Sequence, residues 1–177
     1  MNRIERNRSP LRLPSPDDYS LPQLDAAERD MRAVLDVWPA LTPSGFYVEP
    51  QPCPIPRSVE WFGPDNAVIS RDNVTFAFWR SRMDMRTEEA LAALIASRAW
   101  LNAYAIRLKT LDKKRLSQNL WFIAQRDLSR VSHGVFIAAL DLEGFKVQQA
   151  TDNLGQPTAS AWTGARLKAC WINERRR

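Results

Sequence analysis

The stretch KKRLSQNLWFIAQRDLSRV, residues 113–131, decides how this chain is read. Spaced at the α-helical interval, Leu116, Leu120, Ile123, Leu128 and Val131 fall on one side, with Asp127 among them. Arg115, Asn119, Phe122, Arg126 and Arg130 fall within about 80° of one another on a different face. Trp121 lies at the edge of that face. The pattern predicts an amphipathic helix from Lys113 to Val131, capped by Asp112 and closed by the left-handed geometry that Gly134 permits. Asp127, on the core side, needs a polar partner because a bare buried carboxylate is costly.

Upstream, EEALAALIASRAWLNAYAIRLKTL begins after Thr87, with Glu88 and Glu89 favourable in a first helical turn. It is apolar around most of its circumference, which predicts an interior helix forming a hairpin with the first one. Downstream, VFIAAL and FKVQQA flank Asp141-Leu142-Glu143-Gly144 and read as a β-hairpin, followed by a polar loop and a last strand near ARLKACWI. Further back, SVEWF, AVIS and VTFAFWR, separated by tight turns, read as a three-stranded meander. The expected fold class is therefore α+β: a β-meander, a central helical hairpin and a second β-meander in one layered domain.

Eleven of the twelve prolines fall within the first 64 residues. Residues 1–21 read as a flexible arm, and residues 22–57 as a helix from Pro22 to Trp38, capped by Ser20, followed by an extended proline-rich strap. Residues 58–177 form the α+β domain. The prolines of the strap recur every second residue, which is not the spacing of a polyproline II ligand.

The 177 residues are 45% hydrophobic and 25% charged, a globular composition with room for one core. The net charge of +5 is uneven: residues 113–177 hold 11 Lys or Arg against 5 Asp or Glu. Such asymmetry points to an acidic partner. Cys53 and Cys170 do not make a disulfide framework or a metal knuckle, no apolar stretch has the length of a signal or membrane span, and a cytoplasmic protein is expected.

Catalytic sets are scarce. His133 is the single histidine and is expected to sit exposed at a helix terminus. There is no glycine-rich phosphate loop, and neither a metal nor a cofactor is implied. Asp65, Asp72 and Asp84 near strand ends are the one carboxylate set that could serve a metal-dependent enzyme, and acidic residues there are more often turn formers. NVTFAF (73–78) and VFIAAL (135–140) loosely resemble the aromatic strand motifs of RNA-recognition domains, but in reversed order and without the basic-glycine pair, so no family is recognised.

What remains is binding. The leading expectation is a non-enzymatic macromolecular-interaction subunit, of the kind found in viral or mobile-element assemblies. The alternative is a nucleic-acid-binding accessory protein using Arg115, Asn119, Phe122, Arg126, Arg130 and Trp121, with Arg175, Arg176 and Arg177 as a second set. Of the seven tryptophans, Trp121 and Trp162 are the two candidates for partner contact, although burial is the commoner fate of such a ring.

Overall fold

Ser20 and Gln23 open the first helix by exchanging the contacts of a capping box. The Gln23 side-chain oxygen accepts the Ser20 backbone N–H at 2.8 Å, and Pro22 occupies the first turn. This helix, α1, spans Leu21–Val37 and buries Leu24, Met31, Val34 and Leu35 along one face. These features belong to a computed structural model that describes residues 15–48, 82–128 and 130–169. The first 14 residues of the arm, the strap beyond Val48, the first meander, both cysteines and Arg175, Arg176 and Arg177 lie outside the described residues.

A single 3-10 turn, Pro16–Asp18, precedes α1, and a hairpin of β1 (Leu41–Thr42) and β2 (Gly45–Phe46) follows it. Helix α2, Glu88–Tyr104, begins where expected, with the Thr87 hydroxyl accepting from Ala90 N–H. It stops at Tyr104 with no glycine or proline to mark the end. The chain passes directly into a twelve-residue strand, β3 (Ala105–Leu116), and only then into α3, Ser117–Leu128. Lys113–Leu116 are therefore strand, and the helix expected from Lys113 to Val131 is shorter at both ends. The apolar residues Leu101, Leu108 and Leu111 satisfied a helical spacing, while Ile106-Arg107-Leu108-Lys109 alternates as a strand does. Pairing with a neighbouring strand settles that ambiguity.

The second correction concerns residues 133–142. VFIAAL belongs to α4, His133–Leu142, with Ser132 as its cap, and not to a strand. Every residue from His133 to Leu140 is buried, so the helix is apolar on all sides and has no period to betray it. Gly134 does not close a helix. It sits in the first turn of α4, where an added Cβ would lie 1.8 Å from the Thr42 carbonyl oxygen, and its own N–H donates to Pro43 O at 2.9 Å. The left-handed residue that ends the preceding segment is Arg130, with φ 61°.

Strand β4, Val147–Thr151, matches the expected FKVQQA strand, and β5, Pro157–Leu167, follows a five-residue turn. The three form an antiparallel sheet in the order β3-β5-β4. The class is α+β, as composition and pattern implied, but α4 forms the centre of the core and the sheet partner of β5 is β3. Phe136, Ile137 and Leu140 of α4 pack with Met31 of α1 and Leu94 and Leu101 of α2.

Candidate nucleic-acid interface

Strand β3 is longer than the edge it serves. Arg107 pairs with Ala165, Asp112 with Thr163, and Leu116 with Trp162, so nine residue steps along β3 span only three along β5. The surplus is taken up in two register shifts, which bow β3 away from its partner. Helix α3 leaves the end of that bowed strand and lies beside β5. Between them runs a groove of about 620 Å³. Leu120 and Ile123 of α3 and Ala165 and Leu167 of β5 supply its apolar lining, while Lys114, Arg115, Asn119 and Arg166 supply its polar one.

Asp112 is held by the Lys114 backbone N–H at 2.9 Å and by Arg115 Nε at 2.7 Å, and these contacts keep its carboxyl below the ordinary range. It is the one carboxylate within β3, against five Lys or Arg. Arg126, Arg130 and Arg166 make no ion pair among the described residues. On the other side of the sheet from the groove, Lys113 Nζ stands 5.1 Å above the Trp162 ring.

The residues singled out from sequence fall in four places. Asn119, Phe122 and Arg126 share one exposed row of α3, as three- and four-residue spacing dictates. Phe122 is 55% exposed, against the usual burial of so large an apolar ring. Arg115 is on β3 and meets that row through the groove that Asn119 also lines. Arg130 lies past the helix end, its backbone N–H donating to Gln125 Oε1 at 3.1 Å. Trp121 is half buried, its indole N–H donating to Val131 O at 2.7 Å and its ring 4.8 Å from Phe122. Asp127 accepts the Trp100 indole N–H at 2.9 Å, which meets its need for a polar partner.

Lys114, Thr163 and Arg166 were not identified from sequence. The run Lys113-Lys114-Arg115 was visible, but its neighbours across the groove are some fifty residues away and are brought in by strand pairing alone.

His133 corrects the expectation of an exposed helix-end residue, being only 7% exposed at the start of α4. Its Nε2 lies 2.9 Å from Ser117 Oγ, which also accepts the Ala161 N–H at 2.9 Å. Burial lowers the imidazole pKa, opposed by a hydrogen bond to the Ser44 backbone. With one ring N–H given to that carbonyl, Nε2 is the acceptor of the Ser117 hydroxyl proton. A Ser–His pair suggests a nucleophile and its base. Ser117, however, is 0% exposed and its oxygen is occupied by a backbone amide, so the pair clasps α3, α4, β5 and the β1–β2 turn together. Among the described residues no three of His, Cys, Asp and Glu are grouped to hold a metal ion, and no helix is long and apolar enough to cross a membrane. Of the three aspartates considered as a metal set, Asp84 is described, and Asp65 and Asp72 lie outside.

Comparison with protein-family models, with curated proteins and with solved structures finds no match to this chain.

Proposed function

We propose that this protein is a macromolecular-interaction subunit that binds nucleic acid, and that its binding surface is the groove between α3 and β5 with the exposed row beside it. The observation that supports this reading is the cationic rim. Lys114, Arg115 and Arg166 border one groove, with Asp112 the one carboxylate within the adjacent strand. Arg115 is paired with Asp112, and the cations that outnumber this single carboxylate attract a polyanion and release its counterions on contact. Exposed Phe122 beside Arg126 adds an apolar contact at the rim. The reading carries with it the cytoplasmic setting expected from sequence.

Binding of a labelled oligonucleotide across a salt series tests it. Affinity should fall steeply from about 50 to 200 mM salt, and Lys114→Ala and Arg166→Ala should each flatten the logarithmic slope by about 1. Arg126→Glu/Arg130→Glu should weaken binding further. Unchanged affinity in all three variants would reject this surface. Binding of an acidic protein segment that persists at high salt, with no oligonucleotide binding, would favour a protein partner instead.

A further inference from the structure

We infer, resting on the nucleic-acid reading above, that the groove takes an unpaired base and that the ligand is therefore single-stranded. Phosphates alone would be served by cations on an open, polar surface. Here the cations stand around an apolar floor made by Leu120, Ile123 and Ala165. Its volume of about 620 Å³ lies within the range of small-molecule sites. Phe122 stands one helical row away, more than half exposed, and is backed by Trp121, whose indole is tied to Val131 O at 2.7 Å. A ring held out on a fixed support offers a stacking face, and the base faces of a duplex are already stacked on one another.

Thr163 adds an independent sign. It lines the groove, is 1% exposed, and its hydroxyl has no hydrogen-bond partner among the described residues. A buried hydroxyl without a partner is unfavourable, and most folded proteins avoid it. The polar edge of a base lodged against the floor supplies both the donors and the acceptors that such a hydroxyl lacks. A phosphate-only contact at the rim would leave it as it is.

The test compares three labelled probes of about 12 nucleotides, within the span of known single-strand sites. They are a single strand of mixed sequence, its duplex, and an abasic strand with the same phosphates. The intact single strand should bind about tenfold or more tighter than the abasic one, from the stacking of one or two bases. Phe122→Tyr should keep that preference and Phe122→Leu should remove most of it. Thr163→Val should weaken binding of the intact strand and leave the abasic strand unchanged, while Thr163→Ser restores the wild-type ratio. Thermal melts of each variant establish that it is folded. Equal affinity for intact and abasic strands, or tighter binding of the duplex, would overturn the base-binding inference and leave the cationic surface standing. Binding of none of the three would reject the nucleic-acid reading itself.

Discussion

The two halves of this molecule use arginine in opposite ways. In the helical half, described residues 15–48 and 82–104 hold nine Asp or Glu against five Lys or Arg, and several of the guanidinium groups there are tied down. Arg86 and Arg32 reach Glu28 at 2.6 and 2.8 Å, and Arg98 joins Asp30 at 2.6 Å to Glu143 at 2.7 Å, linking α1, α2 and the end of α4. In residues 105–169 the balance reverses to ten Lys or Arg against five Asp or Glu, and although Arg107 and Arg115 reach Glu143 and Asp112, Arg126, Arg130 and Arg166 make no ion pair among the described residues. The same side chain is a staple where carboxylates converge on it and an exposed cation, available to the partner proposed above, where they do not. Removing a staple should therefore lower stability and spare binding, and removing a rim cation should do the reverse.

The largest effect is expected at Glu143. Its side chain is 10% exposed, and it accepts from Arg98 at 2.7 Å, Asn102 at 2.7 Å and Arg107 at 3.4 Å. Burial pushes its carboxyl up, but the hydrogen bonds from Arg98 and Asn102 and the charges of Arg98 and Arg107 outweigh this and leave the pKa lowered. Glu143→Ala should cost about 2 kcal/mol in urea unfolding, because it removes the hydrogen bonds to a charged acceptor and leaves the part-buried Arg98 with Asp30 alone. Lys114→Ala and Arg166→Ala should each change stability by less than about 0.5 kcal/mol. Similar losses from the staple and the rim would erase the distinction between the halves.

Next in size is the acid response of the Ser117–His133 clasp, which joins the halves. Because burial lowers the His133 pKa from 6.5, the unfolded chain takes up a proton before the folded one does. Its contribution is therefore complete above pH 6.5 and is lost as pH falls from there through the folded value, at no more than about 1.4 kcal/mol per pH unit. Chemical denaturation from pH 7.5 down to 5 should show this slope in the wild type and a shallower one in His133→Gln. An equal slope in both would show that the clasp does not set the acid response in this window, since the lowered pKa of Glu143 confines its own contribution to pH below its ordinary 4.5.

Those two sites also mark what was legible in the sequence. The Ser20-Leu21-Pro22 start of α1 and the Thr87-Glu88-Glu89 start of α2 are local signals, written in capping residues, and both stand where they were read. The end of α2 and the whole of α4 carried no such signal. Ala105 enters β3 without a breaker, and Val135–Leu140 is uniformly apolar, so neither a boundary nor a period distinguished strand from helix there. His133 was misplaced as a consequence, since its burial depends on α4 being a helix. On the site, the Asn119, Phe122 and Arg126 row follows from helical spacing alone, whereas the groove depends on how far β3 bows from β5, a property of their pairing.

A smaller effect, at Thr163, bears most directly on how the proposed binding half differs from the structural one. Thr163 combines a place in the groove lining with a hydroxyl that is buried without a partner among the described residues. Thr163→Val keeps the shape and removes the unsatisfied group, so it should raise stability by about 1 kcal/mol. Stabilising substitutions of this kind commonly exact their cost in function. A variant that is both more stable and weaker in oligonucleotide binding would place Thr163 with the binding half. Loss of stability on the same substitution would mean that the hydroxyl is satisfied within the fold, and Thr163 would then belong with the staples.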